Sequence, residues 1–243
     1  MQKVTNRIQL SEIFTSIEGE GIFFGTKTMF VRMAGCHLKC YWCDTAYALP
    51  LDSGSSYTID EAKRLIEEQL QPCTYKVNFT GGEPLIQYEA VIELAKFVKE
   101  EQGLRTYLES ACFDSNRYVQ VLPFIDICKI EFKMSDSEVI DVRYYDNLLC
   151  NELECLEAAL TNNKITYIKI VISNSTELYE FKGLIQKIFK DVKIANIAGF
   201  IIQPSYGITE PTVEKLFEFY DAVYPIYRDV RIIPQLHKLM GAR

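Results

Sequence analysis

Three cysteines stand close together in the segment Cys36-His-Leu-Lys-Cys40-Tyr-Trp-Cys43, spaced Cys-x-x-x-Cys-x-x-Cys. Thiolates so close in sequence are able to hold one metal centre. A [4Fe–4S] cluster has four irons and is usually held by four cysteines, so three ligands leave one iron with an open coordination position. A catalytic metal needs such an open position. The motif therefore predicts a [4Fe–4S] cluster, held by Cys36, Cys40 and Cys43, that takes part in chemistry.

Two other interpretations of this motif stay open. His37 makes a Cys3His zinc site conceivable, and a chance grouping is conceivable in a chain with eight cysteines. Zinc motifs usually contain a second ligand pair about 12 to 20 residues further on. Here the next cysteine is Cys73, 30 residues after Cys43, with no histidine between them. A non-catalytic zinc or iron–sulfur module is thus the alternative from another functional class.

Two short segments lead the chain into the cysteine motif. Residues 8–14 alternate apolar and polar side chains as a strand does, and residues 28–33 form a second apolar strand. Between them, Ser16-Ile-Glu-Gly-Glu-Gly21 contains glycines that allow close approach of the backbone to a ligand, although a simple turn fits the spacing equally well.

After the cysteine motif, strands and helices alternate to the end of the chain. We predict strands at residues 75–80, 104–109, 125–132, 166–172, 197–203 and 230–233. We predict helices at residues 58–71, 87–102, 116–121, 148–162, 176–190 and 210–223, and an irregular loop at 135–147. The first helix begins at Thr58-Ile-Asp-Glu61, which resembles a capping box. Such alternation predicts an α/β fold, in which a parallel sheet with flanking helices forms a single domain over residues 1–243.

The polar motifs follow predicted strands. Four motifs stand at or after the end of a predicted strand: the cysteine loop (residues 36–43), Gly81-Gly-Glu-Pro84, Glu109-Ser110 and Gln203-Pro204. In a parallel α/β sheet the carboxyl ends of the strands share one edge, where ligands bind. We therefore expect these motifs to form one site.

Composition excludes several functional classes. The net charge of −7 argues against a protein that coats nucleic acid. No stretch of 18 apolar residues indicates a membrane span, and the amino terminus lacks the apolar region of a secretory signal, so we expect a cytoplasmic protein. In a reducing compartment, eight cysteines indicate a metal site and buried thiols, and we place Cys128 in the core.

The cysteine spacing, with the aromatic Trp42 before the last cysteine, resembles that of radical S-adenosylmethionine (SAM) enzymes. The resemblance implies a partial (β/α)6-type radical SAM barrel and a SAM molecule whose amine and carboxylate bind the open iron. Thr80-Gly-Gly-Glu-Pro84 resembles the segment that lies against the SAM methionine, which implies SAM contacts at Gly81, Gly82 and Glu83. Glu109 and Ser110 are the expected contacts of the SAM ribose or amino group; the alternative is that Glu109 caps the following helix.

More specifically, the chain resembles the 7-carboxy-7-deazaguanine synthases over nearly its whole length. The segments that carry the resemblance are Glu12-Ile-Phe-Thr-Ser-Ile-Glu-Gly-Glu-Gly21, Phe30-Val-Arg-Met-Ala-Gly-Cys36, Cys43-Asp-Thr45, Ile168-Lys-Ile-Val-Ile172, Phe200-Ile-Ile-Gln-Pro204 and Pro234-Gln-Leu-His-Lys238. The resemblance implies conversion of 6-carboxy-5,6,7,8-tetrahydropterin to 7-carboxy-7-deazaguanine with loss of ammonia. It further implies SAM as a regenerated cofactor, an external electron donor of the flavodoxin or ferredoxin type, and a homodimer. The barrel would carry an amino-terminal strand extension and a carboxyl-terminal substrate-binding tail.

The same resemblance assigns residues to the substrate. Arg32 matches an arginine that binds the substrate carboxylate, and Thr45 matches a residue that holds Mg²⁺ near that carboxylate. A hydroxyl is a hard oxygen ligand that suits Mg²⁺, while a loop hydroxyl bonded to backbone is the alternative. The positions that match the pterin-binding residues are Ile17, Glu18, Gly19, Thr80 and His237, and the carboxyl-terminal residue Arg243 is expected to reach the same pocket.

Three positions depart from the pattern of the synthases. Glu18 stands where many members have glutamine, and Glu109-Ser-Ala-Cys112 replaces Glu-Thr-Asn-Gly. Lys129-Ile-Glu-Phe-Lys133 replaces Ser-Pro-Lys and resembles a strand of glycyl-radical activases. A glycyl-radical-activating enzyme that acts on a protein partner is therefore the second enzymatic interpretation, and either Lys129 or Lys133 is the candidate replacement for the missing lysine.

Overall fold

The computed structural model describes residues 7–191 and 196–242. Within these residues a single sheet of nine strands is flanked by helices. The strands are β1 Arg7–Ile17, β2 Lys27–Met33, β3 Ser55–Thr58, β4 Lys76–Gly81, β5 Arg105–Ser110, β6 Ile127–Phe132, β7 Ile165–Ile172, β8 Ile197–Pro204 and β9 Val230–Ile232. The helices are α1 Ile59–Gln69, α2 Tyr88–Glu100, α3 Ser115–Val121, α4 Tyr145–Thr161, α5 Leu178–Asp191, α6 Val213–Val223 and α7 Leu236–Met240.

The sheet is open, with the strand order β3-β1-β2-β4-β5-β6-β7-β8-β9. Strand β2 and strands β4 to β9 pair in parallel, which confirms the predicted α/β fold with a partial barrel of parallel strands. Strands β1 and β3 extend one edge in antiparallel pairing. Because β1 runs against its neighbour, the loop after Ile17 lies at the amino ends of the parallel strands, where Ile17 pairs with Lys27.

The two faces of the sheet differ because side chains alternate along each strand. In β6, Cys128 and Ile130 point into the apolar core beneath the helices, as predicted for Cys128. Lys129 and Glu131, which alternate with these two residues along the strand, line a cavity on the other face. The parallel strands therefore bury apolar side chains under the helices and present charged side chains to the inside of the partial barrel.

Helix α1 begins at the predicted capping box. The Thr58 hydroxyl accepts a hydrogen bond from the Glu61 amide at 3.2 Å, and the Glu61 carboxylate accepts one from the Thr58 amide at 2.7 Å. Ile59, Ala62 and Ile66 are buried on the face that packs on the sheet. The sequence signal for this helix start is thus confirmed.

The sequence analysis missed two short elements. Strand β3 consists of four partly or fully exposed residues without apolar alternation, so only its pairing with β1 defines it. Helix α7 has five residues, too few for a periodic pattern. Helix α4 begins at Tyr145, three residues earlier than predicted, and short 3-10 turns at Ser135–Ser137 and Val142–Tyr144 occupy the loop before it. No helix of the described residues is long and apolar enough to cross a membrane.

Replacement of Thr58 by alanine is expected to lower the free energy of unfolding by about 1 kcal/mol, because it removes the acceptor of one amide at the start of α1. Urea unfolding followed by circular dichroism measures the difference. The Thr58→Ser variant keeps the hydroxyl and is the matched control. Equal loss of stability in both variants would contradict the capping role.

Candidate active site

Two adjoining cavities occupy the inside of the partial barrel. The smaller one, the cysteine cavity, has a volume of about 100 Å³ and is lined by Cys36, Cys40 and Cys43. The larger one, the inner cavity, has a volume of about 210 Å³ and extends to Glu18 and Arg32. The residues that line both are Cys40, Cys43, Thr80, Gly81, Glu109, Lys129, Glu131 and Lys133. The predicted convergence of the strand ends on one site is therefore realised.

The cysteine loop presents three free, half-buried thiols to the cysteine cavity. Backbone hydrogen bonds fix the loop, from the Cys36 amide to the Leu49 carbonyl at 2.8 Å and from the Cys43 amide to the Cys40 carbonyl at 3.0 Å. Burial raises the pKa of the Cys36 thiol to about 11 and also raises that of Cys40. Thiolates are the form that binds metal, so a positively charged centre is what would keep these groups ionised. Three sulfur ligands around one cavity fit an iron–sulfur cluster.

The segment Thr80-Gly-Gly-Glu-Pro84, called the glycine segment below, packs directly against the start of the cysteine loop. A Cβ on Gly82 would lie 2.1 Å from the carbonyl oxygen of Gly35, and one on Gly81 would lie 2.3 Å from the carbonyl oxygen of Met33. Gly81 also has a φ of +128°, which side chains rarely adopt. The Glu83 amide donates to the Gly35 carbonyl at 2.7 Å. Only glycines allow the two loops to share the wall of the cysteine cavity.

Glu83 differs in position from the predicted SAM contact. Its carboxylate is fully buried and lies outside the lining of both cavities. It accepts hydrogen bonds from the Leu85 amide at 2.8 Å, the Ser110 hydroxyl at 2.9 Å and the Ala111 amide at 2.6 Å. Glu83 therefore joins the loop after β4 to the end of β5, while Ser110 lines the cysteine cavity.

Glu109 lies in the wall between the two cavities. It accepts hydrogen bonds from the Thr80 hydroxyl at 3.1 Å and the Tyr107 hydroxyl at 2.7 Å. Burial opposes ionisation of Glu109, but the charges of Lys129 and Lys169 outweigh burial and lower its pKa. Glu109 is thus an ionised hydrogen-bond acceptor for a ligand in either cavity.

The departure on β6 builds a cluster of buried charges. Glu131 accepts hydrogen bonds from Lys129 and Lys133, and Lys169 of β7 forms an ion pair with it at 3.0 Å. All four residues are at most 8% exposed. Three ammonium groups share one carboxylate, and a second carboxylate, Glu20, accepts from Lys169 at 2.6 Å. Both candidate lysines, Lys129 and Lys133, line the two cavities.

At another part of the inner cavity, Arg32 is held by Glu12. The Arg32 Nε donates to Glu12 at 3.0 Å, the Tyr47 hydroxyl donates to the same oxygen at 2.6 Å, and the guanidinium lies 5.7 Å from the ring centre of Phe14. Thr45 lines the same cavity, with its hydroxyl 3.7 Å from the Cys43 sulfur.

The carboxyl-terminal helix closes the inner cavity. The Leu236 amide donates to the Gly19 carbonyl at 2.9 Å, and a Cβ on Gly19 would lie 2.0 Å from the His237 ring nitrogen Nδ1. The inner cavity is lined by six of the predicted substrate residues: Ile17, Glu18, Gly19, Arg32, Thr80 and His237. Arg243, the remaining predicted substrate residue, lies outside the described residues.

The structure places two acidic residues that the sequence analysis did not single out, Glu20 and Asp44, beside the predicted His237. The ligand atoms of Glu20, Asp44 and His237 lie within 4.8 Å of one another. Glu20 also accepts from Gln235 at 2.7 Å and from Gln203 at 3.2 Å. Burial opposes ionisation of Asp44, but His237, Lys238 and Arg32 outweigh it and lower the pKa of Asp44 to about 2. A signal was present for Lys169, a lysine inside an otherwise apolar strand, because such residues are rarely buried without a partner.

Comparisons with known proteins agree with this geometry. Residues 17–155 match a family model described as a 4Fe-4S single cluster domain. The 7-carboxy-7-deazaguanine synthase of Methanocaldococcus jannaschii is 32% identical over 96% of this chain and 99% of its own length. That of Archaeoglobus fulgidus is 30% identical over 98% of this chain and 100% of its own. The structure of QueE from Escherichia coli has a TM-score of 0.64 and 17% identity over 95% of both chains, a likeness of fold. Streptococcus suis SuiB bound to S-adenosylmethionine has a TM-score of 0.55 and 16% identity over 82% of this chain and 48% of its own.

The Gly82→Ala variant is expected to lose cluster and SAM binding, because the added Cβ would push the glycine segment away from Gly35. Iron content, the visible absorbance of the reconstituted protein and equilibrium dialysis with SAM measure the loss. Gly183, exposed in α5 with no atom near its Cβ position, supplies the matched control Gly183→Ala. Wild-type iron content and SAM binding in Gly82→Ala would contradict the shared wall.

Proposed function

The chain belongs to the 7-carboxy-7-deazaguanine synthase family, and we propose that its two adjoining cavities divide the radical SAM reaction of that family between them. The cysteine cavity binds the [4Fe–4S] cluster and SAM, and the inner cavity binds a pterin. The observation that carries this proposal is the wall the cavities share, since it brings the two ligands side by side. Membership of the family leaves no place for the zinc module or for the glycyl-radical activase.

In the cysteine cavity, Cys36, Cys40 and Cys43 hold the cluster. The backbone of Gly81 and Gly82, which lines the cysteine cavity, receives the methionine part of SAM. When bound, the reduced cluster and SAM together supply the radical that abstracts hydrogen from the substrate.

The polar side chains of that wall orient SAM. Glu109 accepts from the hydroxyl or amino groups of SAM, and Ser110 stands beside it as a second polar contact. Lys129 and Lys133 place positive charge next to the SAM carboxylate, in the role of the lysine that the family carries in Ser-Pro-Lys. Glu83 acts by holding the glycine segment and the end of β5 together.

In the inner cavity, we propose 6-carboxy-5,6,7,8-tetrahydropterin as the substrate. Its carboxylate pairs with Arg32. Glu12 uses the Nε of Arg32, so a substrate carboxylate would meet the two terminal nitrogens in the bidentate geometry that arginine favours. Glu12 and Tyr47 thus fix the orientation of the guanidinium before substrate arrives.

The pyrimidine ring of the pterin carries N–H donors beside acceptors. The carboxylates of Glu18 and Glu20 line the inner cavity as acceptors, and Ile17 and Gly19 line it beside them. Thr80 and His237 complete the polar contacts. This distribution supports a deep position for the pyrimidine ring and leaves the carboxylate near Arg32.

We propose that Mg²⁺ binds at Thr45, next to the substrate carboxylate. The Thr45 hydroxyl is a hard oxygen donor, and the neighbouring carboxylates of Asp44 and Glu20 raise the negative charge of this region. The ion would neutralise the substrate carboxylate and fix its orientation.

Three further proposals rest on the family resemblance and on the cysteines. An external flavodoxin or ferredoxin would reduce the cluster, and the functional unit would be a homodimer. The enzyme would work in the reducing cytoplasm, where free thiols such as Cys36, Cys40 and Cys43 persist for cluster binding.

Anaerobic reconstitution, followed by incubation with SAM, dithionite, Mg²⁺ and 6-carboxytetrahydropterin, is expected to yield 7-carboxy-7-deazaguanine and ammonia. Mass spectrometry identifies the product, and Cys40→Ala should abolish it because only two cluster ligands remain. SAM cleavage with an unchanged pterin would contradict the assignment of 6-carboxytetrahydropterin as the substrate. Omission of Mg²⁺ tests the ion separately.

The Arg32→Lys variant is expected to raise KM roughly 10- to 100-fold with a smaller change in kcat. Lysine cannot form the bidentate contact, and a charge-assisted hydrogen bond contributes about 1.5–3 kcal/mol. Steady-state kinetics separates the two parameters. The matched control is Arg231→Lys, which alters an exposed arginine paired with Asp229 away from the site. An unchanged KM in Arg32→Lys would remove Arg32 from the substrate contacts.

A further inference from the structure

A buried ion pair lies below the inner cavity, between Glu18 and Lys76. The Lys76 Nζ donates to the Glu18 Oε2 at 2.7 Å. Glu18 is 2% exposed and lines the inner cavity, whereas Lys76 is 0% exposed and lies outside its lining. Lys76 therefore reaches the cavity only through Glu18.

The side chains around Lys76 stabilise an ammonium group. Besides Glu18, its Nζ donates to the Thr28 hydroxyl at 2.6 Å and to the Thr26 hydroxyl at 3.4 Å, so each of its three N–H groups has an acceptor. The ring centres of Phe23 and Tyr107 lie 5.7 Å and 5.1 Å from the Nζ. A fully buried lysine with three acceptors and two aromatic rings has one defined position, and it fixes the carboxylate that it binds.

The strand pairing explains why these residues meet. Lys76 is the first residue of β4, and it pairs with Thr28 of β2. Glu18 directly follows β1, whose antiparallel course brings it to the same amino ends of the parallel strands. Glu18 thus lines the inner cavity from the amino ends of the parallel strands, whereas the cysteine loop follows the carboxyl end of β2.

We propose that Lys76 is a positioning residue, which fixes Glu18 as a two-oxygen acceptor and so selects ligands whose deepest edge carries two adjacent N–H donors. This inference rests on the proposed pterin substrate, whose N3–H and 2-amino group form such an edge. A carboxylate only accepts hydrogen bonds, and its two oxygens have room for more than the one bond from Lys76. Glutamine, which many related synthases carry here, offers one acceptor and one donor group. In this chain Glu18, held by Lys76, instead offers two acceptor oxygens to the N3–H and 2-amino edge.

Several groups determine the charge of Glu18. Burial raises the pKa of Glu18 to about 7 and lowers the pKa of Lys76, and the pairing of the two groups opposes both shifts. The other titratable groups that face Glu18 are Glu20 from its own loop, Glu109 and Tyr107 from β5, and Tyr167 from β7. The two carboxylates raise the pKa of Glu18 further, and both tyrosines stay neutral because burial raises their pKa values. Lys76 is the one cation among these groups, so its removal favours the protonated carboxyl.

The test compares Lys76→Met with the double variant Glu18→Gln, Lys76→Met. Lys99→Met, which breaks an ion pair with Asp126 outside both cavities, is the matched control. Anaerobic calorimetry on the reconstituted enzyme without reductant measures binding of 6-carboxytetrahydropterin. The same experiment uses the 2-oxo analogue, in which a carbonyl acceptor replaces the 2-amino donor.

We expect Lys76→Met to weaken binding of the pterin at least tenfold at pH 7, with partial recovery toward pH 9 as the Glu18 carboxyl ionises. The change toward pH 9 should be smaller in the wild type and Lys99→Met, because Lys76 keeps more of Glu18 ionised at pH 7. The double variant should fold as the wild type does, because no unpaired charge remains buried. Its preference for the pterin over the 2-oxo analogue should fall at least tenfold, since an amide can donate to the 2-oxo group. In Lys76→Met the protonated Glu18 carboxyl can donate to the 2-oxo group in the same way, so the preference should fall at pH 7 there too, which a purely structural lysine would not cause.

Wild-type affinity and pH profile in Lys76→Met would overturn the inference and leave the proposed function intact. If Lys76→Met fails to fold, the double variant decides, and an unchanged preference for the pterin there overturns the inference. A wild-type enzyme that binds neither compound would overturn the pterin as substrate, and the role of Lys76 with it.

Discussion

The inside of the partial barrel depends on the pairing of buried charges. Four lysines that are at most 8% exposed reach it from the parallel strands: Lys76, Lys129, Lys133 and Lys169. Removal of one partner of a buried pair typically costs about 3–5 kcal/mol, because the other charge stays uncompensated. The carboxylates Glu18, Glu20 and Glu131 accept from these lysines. The inside of the partial barrel can be polar enough for a charged ligand because these buried charges are already paired.

This pairing also joins distant parts of the chain. Lys169 of β7 holds Glu20 of the loop after β1, and Gln235 at the start of the carboxyl-terminal helix binds the same carboxylate. The Gly19 carbonyl receives the Leu236 amide next to it. The loop after β1 and the carboxyl-terminal helix thus meet at the inner cavity, so the pocket forms only when the whole sheet is assembled.

Prediction from the sequence succeeded where a local pattern carried the information. The capping box at Thr58 marked the start of α1, and the apolar strands were placed to within a few residues. Prediction failed where the partner was far away in sequence. The sequence did not show that Ser110 and Ala111 of the next strand end hold the Glu83 carboxylate outside the lining of both cavities. Strand β3 exists only through its pairing with β1.

The sequence by itself determined the α/β class, the three thiols and the family, because spacing and order are properties of the chain alone. It also indicated that Lys129 and Lys133 were candidates for one role, since both lie in the segment that replaces Ser-Pro-Lys. Only the tertiary structure decided that both reach the cavities and share Glu131. Likewise, only the antiparallel course of β1 places Glu18 over Lys76, 58 residues away. Burial and pairing arise from contacts between strands, and such contacts have no local signature in the chain.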